Sequence, residues 1–120
     1  METLTNERGK MSIRTIKKMK VGPIAYTVKH QVVELTPEQA EEGRIYIGKI
    51  FYDRAEIQVA NHTPECVARQ TTMHEAVHAM LNAAGCNDEF TEGQVDAFAN
   101  VLIQFVQQNP QLIEAIQKCK

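Results

Sequence analysis

The five residues His74-Glu75-Ala76-Val77-His78 constrain the fold of this chain more than any other feature. They spell H-E-x-x-H inside a stretch that has the apolar spacing of a helix. Residues four apart on an α-helix lie one turn apart on the same face, so both imidazoles can reach one metal ion. Glu75 follows the first histidine directly and can reach a water molecule on that ion. The pattern therefore predicts a metal-binding helix.

Length and composition limit the class of protein. A chain of 120 residues, 43% hydrophobic and 23% charged, suffices for one globular domain with a modest core. Its net charge of -2 gives no general attraction to nucleic acid or to an anionic membrane. No apolar run approaches the roughly 20 residues of a membrane span, and residues 1–10 lack a signal-peptide core. We therefore predict one cytoplasmic domain over residues 1–120 that binds neither nucleic acid nor membrane.

The two halves of the chain have different patterns. Residues 11–60 are rich in strand and turn signals, and residues 64–118 have helical periodicity. Strands are predicted at 11–21, 24–35, 44–52 and 56–60, the last two as a hairpin. Helices are predicted from Thr36-Pro37 to Gly43, from Thr63-Pro64 to Ala84, from Asp88 or Thr91 to Asn109, and from Pro110 to about Lys118.

These elements predict an α+β fold in which a small N-terminal antiparallel sheet packs on the metal-binding helix and on a second helix that carries carboxylates. We expect the sheet to cover an apolar face of the metal-binding helix, formed by Met73, Val77, Met80 and Ala84. The two motif histidines would then lie at the edge of the core, facing a cleft.

Two histidines do not complete a catalytic zinc site, which usually has three protein ligands and a water. Glu92 lies 14 residues after His78, and Asp96 lies one turn further along the same helix face. We assign Glu92 as the third ligand and Asp96 as the acceptor for the second N–H group of His74. The reversed assignment stays open, as do a helix-dipole role for Glu92 and a plain surface position for Asp96.

The order H-E-x-x-H and then E-x-x-x-D on the next helix resembles the gluzincin metallopeptidases. The stretch Glu92 to Ala99 (E-G-Q-V-D-A-F-A) is similar to the E-x-x-A-N-x-F-A stretch of the ImmA/IrrE-like peptidases, which are small and often encoded by phages and mobile elements. The resemblance covers roughly residues 44–108. It departs from the family pattern at Asp96, where an Asn is common.

The resemblance implies a minimal zincin-like fold and a zinc-dependent endopeptidase. Zn²⁺ would be held by His74, His78 and Glu92, with Glu75 as general base. The implied reaction is limited proteolysis of a specific protein, with a transcriptional repressor as the natural substrate. We expect the strand at 56–60 to form the rim of the cleft and to pair with an extended substrate.

Two other functions remain open at this stage. The chain could be a non-catalytic phage or mobile-element protein that zinc only stabilises, or a partner-binding module built on an old peptidase site. It could also be a nucleic-acid adaptor that uses the cations between Lys10 and Lys20, although no aromatic residues alternate with them. His62, Tyr46 and Tyr52 are further candidates for substrate contacts. Packing roles are the simpler interpretation of both tyrosines.

Overall fold

A four-stranded sheet and four helices make up the part of the chain that the computed structural model describes, residues 11–43 and 45–118. The strands are β1 (Lys18–Val21), β2 (Ile24–His30), β3 (Gly48–Phe51) and β4 (Glu56–Val59). The helices are α1 (Pro37–Glu41), α2 (Glu65–Ala83), α3 (Glu92–Gln108) and α4 (Pro110–Gln117). This arrangement confirms the predicted α+β class.

The sheet has the order β1-β2-β4-β3. The outer pairs, β1 with β2 and β3 with β4, are antiparallel, but the central pair of β2 and β4 is parallel. The prediction of an antiparallel sheet is therefore wrong at its centre. The cause is the long connection between β2 and β4. The chain passes through α1 and β3, and β4 then runs beside β2 in the same direction. This crossover leaves β3 at an edge of the sheet.

The predicted strand at 11–21 forms only in its second half. Ser12 and its neighbours make a short 3-10 turn over Ile13–Thr15, in which the Ser12 hydroxyl accepts from the backbone N–H of Arg14. The Arg14 guanidinium reaches across to the carbonyl oxygen of Ala60. β1 then begins at Lys18 with alternating exposed and half-buried residues, as expected for a solvated edge strand. Lys10 and Arg44, which belong to predicted segments, lie outside the described residues.

Helix α2 packs between the sheet and α3. The cluster against the sheet consists of Tyr26, Val28, Ile57, Val59, Ala68 and Ala79. The cluster against α3 consists of Val77, Val95 and Ala99, with Met73, Leu81 and Leu102 partly buried around them. The expectation that Met73 and Val77 face the sheet is therefore wrong. Small alanines let α2 approach the strands closely, and the longer side chains fill the space between the two helices.

The turn from α2 to α3 brings the start of α3 beside the second half of α2. Gly85, with a φ of 78°, follows the last turn of α2, and the N–H of Cys86 bonds to the carbonyl of Leu81. Thr91 then caps α3 in a reciprocal pair of hydrogen bonds with Gln94. None of the helices within residues 11–43 and 45–118 has both the length and the apolar character that crossing a bilayer requires.

Candidate metal centre

His74 and His78 lie on one side of α2, with their ring centroids 4.9 Å apart. Both line a cleft of about 590 Å³ between α2, β3 and the loop before α3. The residues that line the cleft are Gln39, Tyr46, Gly48, Lys49, Ile50, Tyr52, His74, Glu75, His78, Asn87, Phe90 and Glu92. The helical spacing of the motif therefore has the expected result, since both imidazoles face the same open space.

Glu92 closes the group from the first turn of α3. Its Oε1 atom lies 2.9 Å from His74 Nε2 and 3.0 Å from His78 Nε2. The three candidate ligand atoms all lie within 4.8 Å of one another. The cap at Thr91 fixes where α3 begins and so places Glu92 opposite the histidines. His74, His78 and Glu92 could therefore hold one metal ion.

Asp96 lies behind His74. Its Oδ1 atom accepts from His74 Nδ1 over 3.1 Å and from Gln70 Nε2 over 2.6 Å. A hydrogen bond at Nδ1 leaves the Nε2 lone pair of His74 directed toward Glu92. Glu92 thus lies beside Nε2 of both histidines, and Asp96 lies beside the other ring nitrogen of His74. The reversed assignment does not fit, because Asp96 lies on the side of the ring away from His78.

The donor atoms fit a cation. When His74 donates from Nδ1 to Asp96, its Nε2 atom can face Glu92 Oε1 at 2.9 Å either through a second ring proton or with a cation bound beside both atoms. Two acceptors at that distance repel each other unless a proton or a metal ion lies between or beside them. Two imidazoles and one carboxylate also form a ligand set that zinc uses in catalytic sites.

Glu92 keeps its negative charge. Partial burial alone would raise the pKa of its carboxyl group, but the hydrogen bonds from His78 and His74 outweigh burial and lower the pKa below its ordinary value. The cleft therefore offers an ionised carboxylate beside two imidazoles, and a carboxyl ligand must be ionised to bind a metal ion.

Glu75 lies under the strand edge beside the histidines. Only 6% of its surface is exposed, and it lines the cleft next to His74. Burial raises the pKa of its carboxyl group to about 7, with His74 opposing the rise and Glu92 adding to it. A carboxyl group with a pKa near neutrality can both take up and release a proton at that pH.

The open edge of the sheet forms one wall of the cleft. The N–H of Ala60 bonds to the carbonyl of Ile47, and the register pairs Lys49 with Gln58. In an antiparallel pair the bonded residues alternate, so Gly48 and Ile50 direct their backbone groups away from β4. The expectation that the strand at 56–60 forms the rim is wrong, because β4 is paired on both sides.

Gly48 also lines the cleft, although no pattern in the sequence indicated a role for it. A Cβ atom at this position would lie 2.3 Å from Thr71 Cγ2 and 3.0 Å from Glu75 Oε2. Glycine therefore allows β3 to lie directly on α2 next to the Glu75 carboxyl group. No local pattern marks this glycine, since the contact joins segments that are more than 20 residues apart in sequence.

The remaining candidates have different positions. Tyr46 and Tyr52 both line the cleft, although packing was the simpler expectation, and the Tyr52 hydroxyl donates to Asn87 Oδ1 over 3.2 Å.

His62 lies in the turn before α2, more than two helical turns ahead of His74. His30 ends β2, where its Nε2 atom lies 3.0 Å from the carbonyl oxygen of Ile16, as a structural histidine would.

Comparison with known proteins identifies no relative of this chain. No protein-family model, curated protein or solved structure matches the chain. The resemblance to the ImmA/IrrE-like peptidases stays a prediction that depends on the motif residues within 44–108. The arrangement of His74, Glu75, His78, Glu92 and Asp96 is the basis for any statement about function.

Proposed function

We propose that this chain is a zinc-dependent endopeptidase. The observation that carries the proposal is the convergence of His74 Nε2, His78 Nε2 and Glu92 Oε1 within 4.8 Å, beside the buried carboxyl group of Glu75. A metal site and an adjacent group that titrates near neutrality are the two parts that hydrolysis by this route requires. The resemblance to gluzincins supports the same function.

The ion and the protein contribute different chemistry. A Zn²⁺ ion held by His74, His78 and Glu92 would supply Lewis acidity to a peptide carbonyl and would acidify a water molecule. Glu75 accepts the proton from the attacking water and returns it to the leaving nitrogen. Without a metal ion, burial raises the pKa of this carboxyl group to about 7, so Glu75 can exchange a proton near neutral pH. Asp96 holds the His74 ring in the orientation that ligation needs.

The open edge of β3 suits an extended peptide. Gly48 and Ile50 present backbone groups at this edge, and both residues line the cleft beside His74 and Glu75. A peptide that adds to β3 as a further strand would place its backbone next to the candidate ligands. Such binding requires a flexible, extended segment in the target, which favours limited proteolysis of a specific protein. By family resemblance, a transcriptional repressor is the substrate that we propose.

The test is cleavage of an unstructured peptide library in the presence of zinc, with new peptide termini read by mass spectrometry. The wild type should cleave, and a chelator should abolish cleavage. The E75Q variant should fold and bind zinc but lose activity by about 10²-fold or more, because it removes the proton carrier. The matched control is E89Q, since Glu89 is an exposed acid in the loop before α3. Undiminished cleavage by E75Q would remove Glu75 from the mechanism.

The same experiment separates catalysis from the other function that the motif allows. A protein that zinc only stabilises, or a module that only binds a partner, would also bind the ion through His74, His78 and Glu92. It would not produce chelator-sensitive cleavage with any peptide in the library. Zinc binding without cleavage by the wild type would therefore favour a non-catalytic role.

A further inference from the structure

The side of α3 that does not face α2 is apolar and exposed. Phe98, Val101 and Phe105 recur at helical spacing and form one stripe, and each is between 44% and 59% exposed. Leu112 and Ile116, one turn apart on α4, are also exposed apolar residues, and α4 follows α3 directly after Asn109. The sequence periodicity of Phe98 and Phe105 is typical of core residues. The described residues of the chain nevertheless leave about half of each phenylalanine exposed.

An apolar pocket adjoins the first residue of the stripe. It has a volume of about 240 Å³ and is lined by Val77, Leu81, Phe90, Gln94, Val95 and Phe98. The lining is almost entirely aliphatic or aromatic, and Gln94 is the one polar residue. A pocket of this size can take a large apolar side chain from a neighbouring molecule, as the anchor pockets of protein interfaces do.

The exposed apolar area matches what a dimer needs. With roughly 200 Å² for each aromatic side chain, the three phenylalanines of this surface leave about 300 Å² exposed. The aliphatic side chains raise the apolar area to roughly 500 Å². One side of a standard interface is about 800 Å², and in homodimers about 65% of it is apolar. The residues counted are Phe90, Phe98, Val101, Phe105, Val106, Leu112 and Ile116.

The charge distribution favours a second copy of this chain as the occupant. Residues 97–113 contain no acidic, basic or histidine side chain, and their polar residues are Asn and Gln. Further along the chain, Glu114 and Lys118 form an exposed ion pair one turn apart and so add no net charge to this surface. A two-fold interface places the same surface against itself, so a charged surface would bring like charges together. Amide side chains avoid that repulsion, because each can both donate and accept. Residues 1–10, with Met1 and Leu4 as their large apolar side chains, are too polar to be the occupant.

We propose that the outward surface of α3 and α4, together with the pocket beside Phe98, is a homodimer interface. Two copies pack these surfaces against each other around a two-fold axis, and each inserts an apolar side chain into the pocket of its partner. The proposal does not depend on peptidase activity or on metal binding. Its failure and the failure of the proposed function are therefore separate outcomes.

Sedimentation analysis of the metal-free full chain tests the proposal between about 1 μM and about 1 mM. The wild type should sediment as a dimer. V101E places two carboxylates in a two-fold interface and should weaken association by about 100-fold or more. The matched control is V32E, since Val32 is 73% exposed at a site far from α3 in sequence and should leave the dimer intact.

A second variant guards against a folding defect. F98S shortens a side chain of the pocket without adding charge and should also weaken the dimer, and circular dichroism should show native helix content for every variant. A wild type that stays monomeric over the whole concentration range would overturn the proposal. So would a V101E protein that folds and dimerises as tightly as the wild type, because the dimer would then use another surface.

Discussion

Asp96 and Glu92 stand one turn apart on α3, yet they contact different nitrogen atoms of His74. The hydrogen bond to Nδ1 fixes the ring orientation, so Asp96 would affect a metal ion bound at Nε2 without touching it. D96A should lower zinc affinity by about 10- to 100-fold. D96N should lower it less, because an amide oxygen can still accept from Nδ1. Zinc affinity measured by competition with a chelator checks this order, and wild-type affinity in D96A would remove Asp96 from the site.

Gly48 permits the contact between β3 and α2. In G48A the new methyl group would meet Thr71 Cγ2 at 2.3 Å, so the strand must move away from the helix. We expect a loss of about 1–3 kcal/mol in the free energy of unfolding. Gly93 is the control, because a Cβ there would come no closer than 3.8 Å to Thr91 Oγ1, and alanine suits a helix better than glycine.

Urea unfolding of both glycine variants measures the contrast. G48A should be less stable than the wild type, and G93A should be as stable or up to about 1 kcal/mol more stable. If G48A is as stable as the wild type, then β3 does not press on Thr71 as the structure indicates.

At the residue scale, the sequence predicts those parts of the candidate site in which both side chains lie on the same helix. The i, i+4 spacing was sufficient to place His74 and His78 on one face, and the same rule placed Glu92 and Asp96 on one face of α3. The choice between the two acids depends on how α3 is placed against α2, which no spacing encodes. Gly48 was missed for the same reason, since its role comes from a contact between two distant segments.

At the element scale, Glu65 links the N-terminal turn to the first turn of α2. Its carboxylate accepts from the Ser12 hydroxyl over 2.7 Å and from the backbone N–H of Ile13. Burial raises the pKa of Glu65, but these hydrogen bonds lower it by more, so the folded protein holds it below its ordinary value. The link therefore stabilises the fold above the unfolded pKa of about 4.3 and is lost as the pH falls through the lower folded pKa.

E65Q tests the link between these elements. At pH 7 the variant should lose about 1 kcal/mol of unfolding free energy, because a neutral amide is a weaker acceptor. Its stability should also fall less steeply than that of the wild type as the pH drops below about 4.3. Urea unfolding between pH 7 and pH 3 measures both effects, with E89Q as the exposed control. Parallel curves for E65Q and the wild type would contradict the assigned role.

The ends of the helices could be predicted better than the partners of the strands. Thr36 and Thr91 act as N-caps at two predicted helix starts, because capping is decided by a few neighbouring residues. The helix predicted from Thr63-Pro64 has Pro64 as its N-cap and no side-chain cap. The parallel pairing of β2 with β4 depends on how the crossover folds, and no local pattern specifies it. Local patterns also do not specify which side of α2 faces the sheet. Helix α2 has one side with alanines and another with larger apolar residues, and either could pack on the strands.

At the scale of the whole molecule, the described part of the chain packs α2 between the sheet and α3, whereas α3 forms its apolar core only with α2. The sheet and α3 bury opposite parts of α2, whereas α3 buries only Val95 and Ala99 fully. Periodicity alone cannot distinguish an apolar face that packs inside one chain from a face that packs between chains. The exposed stripe of Phe98 and Phe105 is the consequence. It lies further along α3 than Glu92 of the candidate metal centre, and Phe90 lines both the apolar pocket of the proposed dimer surface and the cleft.

The candidate metal centre joins α2 to α3 and is the central claim about this molecule. Zinc content after equilibrium dialysis tests it most directly, in the wild type, in E92A and in the control E89A, which removes an exposed acid three residues earlier. We expect about one zinc ion per chain in the wild type and in E89A, and a sharp loss in E92A, because one of three ligands is gone. A wild type without zinc, or an E92A variant that retains it fully, would contradict the account.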